Sequence, residues 1–305
     1  MPHGWIILDK PVELGSTQAV AAVKRNLREA GFNVKLKGGV KVGHGGTLDP
    51  LASGVLPIAL GEATKLTGRM LDADKTYLFT LRFGEETDTL DAEGKVIATS
   101  DVFPSAEELA AVLPQFTGPI TQVPPAYSAL KIDGKRAYDL ARAGEEVTLK
   151  SRDVTIHALE IHGFDANDGV TLQAQVSKGT YIRSLARDIA HALGSCGTVT
   201  MLRRIKAGPF DLSGAISLDK LNEVGKGAPL EQLLLPLEAG LDDIPAIDLD
   251  PEQARAVRQG RVLTGMPQDD GLYWARMETL PVALVELSHG DVRVVRGFNL
   301  TDVAE

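Results

Sequence analysis

The stretch Val42-Gly-His-Gly-Gly-Thr-Leu-Asp-Pro-Leu-Ala-Ser-Gly-Val-Leu-Pro-Ile-Ala-Leu-Gly-Glu-Ala-Thr-Lys65 decides how this chain is read. Glycines at 43, 45, 46 and 54 let a ligand approach the backbone closely. Pro50 pushes Asp49 toward an extended conformation and removes one backbone donor. Asp49 is thus a carboxylate on a stiffened turn inside a glycine-rich loop, a setting that suits a nucleophile or general base that must hold its position. Taken alone, an Asp-Pro pair is more often a capping turn. The glycines and the two prolines predict a long irregular segment over 37–61, kept ordered by Leu48, Leu51, Val55, Leu56, Ile58 and Leu60.

Upstream, residues 4–9 read as a short buried strand ended by Lys10-Pro11. Ser16 or Thr17 caps a helix with Val20, Val23 and Leu27 on its apolar face and Gly31 as its stop. Downstream, 75–83 alternates as a strand, 87–94 is turn-rich and 95–98 is the returning strand. Ser105 and Glu108 form a capping box before Leu109, Val112 and Leu113, with Pro114 and Gly118-Pro119 closing that helix. An extended proline loop follows over 122–128, then a short helix over 136–143 and strands over 154–161 and 170–176. Ile182, Leu185, Ile189 and Leu193 make one helical face, stopped by Gly194. Residues 209–245 are acidic and weakly periodic, and 242–245 marks a boundary. Beyond it, Asp250-Pro251 opens a short helix, and 281–287 pairs with 291–298 through Ser288-His289-Gly290. The tail, 246–305, reads as a small, mostly β domain.

A length of 305 residues suits two domains. With 44% hydrophobic and 24% charged residues, the chain is neither disordered, collagen-like nor a coiled coil. No apolar run reaches the ~18 residues of a membrane helix, and the N-terminus has no leader pattern, so no membrane association is expected. The net charge of −9 argues against a polyanionic partner until its distribution is read. Residues 1–70, 131–152 and 176–208 carry +4, +2 and +5, while the intervening and following segments carry −7, −4 and −9. Three basic segments gathered on one face would bind nucleic acid despite the total.

Signatures of phosphate-binding loops, dinucleotide folds, zinc proteases and serine hydrolases are missing. The lone Cys196 has no second cysteine with which to share a zinc site, and it points to a reducing cytosol. Asp88, Asp91 and Glu93 do not fit a calcium loop and read as a solvated acidic turn. An enzyme working without a metal or large cofactor is therefore expected.

The whole of 43–56 closely resembles the catalytic motif of pseudouridine synthases, in particular the bacterial tRNA pseudouridine-55 synthase, or TruB, family. Further matches follow in the family's order. They are Leu8-Asp9-Lys10-Pro11, Lys75-x-Tyr77, Thr87-Asp88-Thr89-x-Asp91-x-x-Gly94, Pro124-Pro125-x-Tyr127-Ser128-Ala129-Leu130-Lys131, Ser177-Lys178-Gly179-Thr180-Tyr181-Ile182-Arg183 and Leu202-Arg203-Arg204. The likeness spans about residues 4–240 and is weaker in the tail. Val12-Glu13-Leu14 and the run 32–39 depart from the usual pattern.

The resemblance implies an α+β fold: a catalytic domain over 1–245 with a large mixed, mostly antiparallel sheet, and a PUA-like β domain over 246–305. It implies a cytoplasmic, monomeric enzyme that isomerises uridine to pseudouridine at position 55 in the T-arm loop of tRNA, after flipping the base out of its stack, without cofactor or metal. Asp49 falls on the nucleophile, attacking C1′ or C6. Tyr77 stacks on the uracil and acts as a base in the rearrangement, and Arg183 pairs with Asp49. His44 takes the place of the flipped base, Tyr181 and Leu202 line the pocket, and Lys65 supports the same charge network. A mobile RNA-binding loop over 124–152 would contact phosphates through Lys131, Lys135, Arg136 and Arg142. Two alternatives stand beside this: a non-catalytic tRNA-binding chaperone using the same cleft, and an Asp-dependent hydrolase needing a second carboxylate near Asp49.

Overall fold

The computed structural model describes residues 1–34, 38–128, 149–165 and 169–300, and the backbone alone of 131, 132, 135 and 136. The strands, in chain order, begin with β1 (Gly4–Lys10), β2 (Val42–His44), β3 (Ala52–Leu60), β4 (Lys75–Phe83), β5 (Glu85–Thr87) and β6 (Val96–Thr99). Next come β7 (Gly118–Gln122), β8 (Lys131–Ile132), β9 (Lys135–Arg136), β10 (Arg152–Asp165), β11 (Gly169–Val176), β12 (Gly197–Ala207) and β13 (Phe210–Asp211). The last four are β14 (Ala246–Asp248), β15 (Gly271–Met277), β16 (Leu280–Ser288) and β17 (Asp291–Gly297). The helices that matter here are α1 (Ser16–Glu29), α2 (Thr67–Asp72), α3 (Ala106–Val112), α4 (Ile182–Ala192), α5 (Leu218–Gly225) and α6 (Pro251–Arg258).

Nine strands form one sheet in the order β1-β3-β12-β4-β11-β10-β7, with β2 added to β3 and β13 to β12. Among the described residues its only parallel strand pair is β12 with β3, so the sheet is mixed and mostly antiparallel, in keeping with the expected fold class. Alternation along β1 divides its side chains between two cores. Ile6 and Leu8 pack with Val23 and Leu27 of α1 and Leu221 and Val224 of α5. Trp5 and Ile7 face the opposite side, with Val55 and Ala59. A third core lies under α3 and α4, where Leu109, Leu185 and Ile189 cover Phe79, Leu81 and Leu172. Tyr77 and Leu202 are partly buried against both the first and the third of these cores.

The segment 37–61 is not the irregular stretch its glycines and prolines suggest: nine of its residues form β3, seven of them in an unbroken buried run. Pro57 is tolerated inside a sheet because β3 changes partners on one edge. There β12 pairs with Ala52–Gly54 and β2 with Ile58–Leu60, and Pro57 sits in the gap. At that edge Gly45 N–H donates to the Pro57 carbonyl at 2.8 Å. The strand β12, at the centre of the sheet, was not legible beforehand.

At α1 the N-cap is Gly15, whose N–H donates to Gln18 Oε1 at 2.7 Å, and Ser16 is the first helical residue, buried and engaged elsewhere. The Ser105–Glu108 capping box is present as expected. The returning strand β6 pairs with β5 rather than with β4, forming a separate ribbon. The expected helix over 136–143 begins on a residue that pairs as β9, and the rest of it lies outside the described residues. A second sheet, β14-β15-β16-β17, follows, with Asp250 capping α6 and β16 and β17 joined by the expected hairpin. Among the described residues no helix is long and apolar enough to cross a membrane.

Candidate active site

The loop between β2 and β3 carries Asp49, and it is tied down carbonyl by carbonyl. Ser16 Oγ donates to Leu48 O at 2.9 Å and accepts from Leu48 N–H at 2.8 Å. Pro50 O accepts from Glu13 N–H at 2.8 Å and from Lys10 Nζ at 3.4 Å. Arg204 donates from Nη2 to Gly46 O at 3.1 Å, from Nη1 to Thr47 O at 3.3 Å and from Nε to Val55 O at 2.8 Å. Arg204 and Lys10 are fully buried, so their carbonyl partners do the work that water would do at the surface. The unusual Val12-Glu13-Leu14 turn joins this scaffold. Glu13 has φ 67°, its N–H holds Pro50, and Leu14 O accepts from Lys10 Nζ at 2.6 Å.

Against this fixed loop stands Arg183, in the first turn of α4. Its Nη2 donates to Asp49 Oδ2 at 2.8 Å and to Tyr127 O at 3.0 Å. Its Nη1 donates to Thr89 O at 2.8 Å and lies 3.2 Å from Asp91 Oδ2. Arg183 and Asp91 are buried, whereas the Asp49 side chain is 43% exposed and opens onto a cleft. A guanidinium whose other edge is already anchored leaves the Asp49 carboxylate positioned and charge-compensated without covering it.

The cleft has a volume of about 350 Å³ and is lined by Asp49, Lys75, Tyr77, Tyr181, Arg183, Leu202 and Arg204 among others. Tyr77 projects from β4, opposite Ala174 of β11 and Arg204 of β12, and Leu202 lies between Phe79 and Ala52 on neighbouring strands. Tyr181 caps α4, and buried Gln122 fixes its backbone twice, accepting from Tyr181 N–H at 2.8 Å and donating to Tyr181 O at 3.1 Å. Burial raises the Tyr181 phenol above its ordinary value, so it stays protonated at neutral pH. Burial, then the charge of Arg204, lowers Lys75 to about 8, and its ammonium rests on Leu71 O at 2.7 Å and Ala73 O at 2.6 Å. Lys10 is likewise lowered to about 8, chiefly by burial.

Asp49, Tyr77, Arg183, Tyr181 and Leu202 all line this one cleft. His44 sits at the end of β2, half-buried, and the lining of the cleft begins two residues later at Gly46. Burial and Arg204 hold His44 below its ordinary value, consistent with Nδ1 accepting Gly46 N–H at 3.4 Å. Lys65 does not belong to this charge network. Its Nζ pairs with Glu62 at 2.6 Å and donates to Gly297 O at 2.8 Å, on the far side of β3 toward the C-terminal sheet. Lys131 is described by its backbone, which pairs with Arg136 just as Lys135 pairs with Ile132, and Arg142 lies outside the described residues.

Sequence reading missed Asp91, taken for part of a solvated turn, and also Lys10, Lys75, Gln122 and Arg204 as parts of the site. The signal lay in the quoted motifs: Lys10, Lys75, Asp91 and Arg204 each stand inside one, and Gln122 lies two residues before another. Among the described residues no group of three or more His, Cys, Asp or Glu side chains could hold a metal ion.

Residues 32–182 match the family model for the N-terminal domain of the TruB family of pseudouridylate synthases. Residues 183–242 match the model for the tRNA pseudouridylate synthase B C-terminal domain. The chain is 70% identical, over 309 aligned positions covering 100% of both chains, to a Novosphingobium aromaticivorans protein named tRNA pseudouridine synthase B. It is 60% identical to the protein of that name from Zymomonas mobilis, covering 97% of this chain and 96% of the other. A chain in the crystal structure of a Cbf5-Nop10-Gar1 complex superposes with a TM-score of 0.72 at 25% identity, covering 97% of this chain and 84% of that one. A chain in the archaeal box H/ACA sRNP Nop10-Cbf5 complex does so with a TM-score of 0.68 at 26% identity, covering 97% and 85%.

Proposed function

This chain belongs to the TruB family of pseudouridylate synthases, and we propose that it isomerises uridine to pseudouridine in tRNA, at position 55 of the T-arm loop, with Asp49 as nucleophile. The observation that carries this reading is the Asp49–Arg183 pair at the edge of a cleft furnished with Tyr77, Tyr181 and Leu202. A uracil inside a folded loop is out of reach, so it leaves its stack at a cost of a few kcal/mol and enters the cleft. The rings of Tyr77 and Tyr181 and the side chain of Leu202 offer it apolar surface. Asp49, paired with Arg183, forms a covalent adduct at C1′ or C6. The N1–C1′ bond breaks, the base turns, and C5 bonds to C1′. The bond to Asp49 breaks, C5 gives up its proton, and N1, which carried none in uridine, takes one up, so nothing is oxidised and no group is consumed. Asp91, anchored on the same guanidinium, is a positioning residue. Lys131, Lys135, Arg136 and Arg142 contribute phosphate contacts that give affinity and salt dependence more than sequence choice.

The hydrolase alternative requires a second carboxylate facing the substrate. Asp91 shares the Arg183 guanidinium with Asp49, but it is buried, with Oδ1 held by Thr89 Oγ1 at 2.5 Å and by Glu93 N–H at 3.1 Å. Asp49→Asn separates the readings. It should bind tRNA with an affinity within ~3-fold of the parent, since Asn keeps the shape, and should form no pseudouridine in a modification-sensitive assay. Pseudouridine formation at the parent rate would remove the nucleophile assignment. Free uracil released by the parent protein would favour hydrolysis.

A further inference from the structure

A uridine whose base lies in the cleft keeps its flanking phosphates outside, at the lip. Most cations there are already engaged. Arg183 holds Asp49 and Asp91, Lys75 rests on two carbonyls, and Arg204 is spent on three. Arg152 is different. It opens β10, its guanidinium carbon lies 5.4 Å from the centroid of the Tyr181 ring, and Nη1 reaches Gly179 O at 3.4 Å. Among the described residues no carboxylate pairs with it. Stacking on a ring that lines the cleft holds this guanidinium in place while most of its donors remain available.

The turn that accepts Arg152 also carries Lys178, next to Gly179 with its φ of +80°. Lys178 Nζ pairs with Asp72 Oδ1 at 2.9 Å, both side chains being about two-thirds exposed. Their sequence neighbours Ser177 and Leu71 both line the cleft, so the pair stands beside it. An exposed ion pair of this kind contributes little to stability and gives up its partner easily.

We propose that Arg152 and Lys178 grip one backbone phosphodiester beside the target uridine, with Lys178 exchanging Asp72 for the phosphate as RNA enters. This rests on the pseudouridine-synthase reading above and supplies the contact that seats the nucleotide over Asp49. Both residues act on binding and take no part in bond making. Asp72 competes with the phosphate for Lys178.

The test uses the full chain and a synthetic T-arm hairpin, intact or with a neutral methylphosphonate at either phosphate of the target uridine. Arg152→Gln and Lys178→Met should each raise KM by ~10-fold with kcat within ~2-fold, and lower the salt slope of binding by ~1. Asp72→Asn, which removes no contact to RNA, should tighten binding at low salt. It keeps the proposal testable if either other variant fails to fold. One methylphosphonate should cost the parent ~10-fold in affinity and cost the Arg152→Gln/Lys178→Met double variant nothing further. KM values and salt slopes equal to the parent's, or a methylphosphonate penalty undiminished in the double variant, would overturn the grip. If the parent made no pseudouridine in the hairpin, the catalytic reading would fall, and the binding comparisons would still decide the grip.

Discussion

At the scale of single residues, the site depends on two buried ammonium groups that sequence reasoning did not select. Lys10 is completely buried, and its Nζ donates to Pro11 O at 2.9 Å, Leu14 O at 2.6 Å and Pro50 O at 3.4 Å. Burial lowers its pKa from 10.5 to about 8. Between those values the unfolded chain holds a proton that the folded chain has released, so stability contributed through this group rises with pH across that window. In Lys10→Met the dependence disappears. The gap in urea midpoint between parent and variant should therefore move in the parent's favour from pH 8 to pH 10.5, and a gap constant across that range would contradict the assignment. The variant should also turn over more slowly, because Pro50 loses one of its two donors. Lys10 was visible in the sequence as a motif letter, but its use was not. A lysine after a strand normally reaches solvent, and only the fold shows three carbonyls turned toward it.

At the scale of elements, the part of the fold that positions Asp49 was the hardest to foresee. Strands β1, β4 and β11 announce themselves by alternation or apolar runs. In contrast, β3 is interrupted by Gly54 and Pro57, and β12 carries Thr198, Thr200, Arg203, Arg204 and Lys206, which break its apolar pattern. The interruptions have causes in the site. Arg204 is polar because it must hold the Asp49 loop, and Gly54 is glycine because β3 and β12 pass too closely there. Gly54 has φ +102°, and an added Cβ would lie 2.1 Å from the Arg204 carbonyl oxygen. Neither can yield, since Arg204 sits in register with Gly54 on one side and Tyr77 on the other. Gly54→Ala should accordingly lose ~3 kcal/mol or more in urea unfolding, and the surviving folded fraction should have lowered kcat as the Asp49 loop shifts. A variant within ~0.5 kcal/mol of the parent would show that the strands can separate at this point. The convergence of Asp49, Tyr77 and Arg183 was legible because all three lie in motif segments. The burial of Asp91 was not, because acidic turns look alike whether or not a guanidinium waits behind them.

At the scale of the whole molecule, the C-terminal sheet is joined to the nine-stranded sheet by packing and by a charged latch. Leu284 of β16 and Phe298, just beyond β17, belong to the same core as Trp5, Ile7 and Val55. Around that core, Glu62 accepts Asn299 N–H at 2.6 Å and pairs with Lys65, which in turn donates to Gly297 O. This is the role that Lys65 has in place of one in the cleft, and it explains why a residue at the end of the stretch that carries Asp49 is tied to β17. Burial pushes the Glu62 carboxyl upward, but the Asn299 N–H and the Lys65 ammonium more than reverse this and leave it below its ordinary 4.5. A carboxyl depressed in the folded state contributes stability above its unfolded value and loses it as pH falls through the folded one. Glu62→Gln keeps an acceptor for Asn299 but gives up the charge. At pH 7 it should be less stable than the parent by ~1 kcal/mol, and the difference should close as pH falls below 4.5. Urea midpoints of the two proteins at pH 7 and in acid measure this directly. A difference that persists unchanged in acid would mean that the latch holds the two sheets together by shape alone.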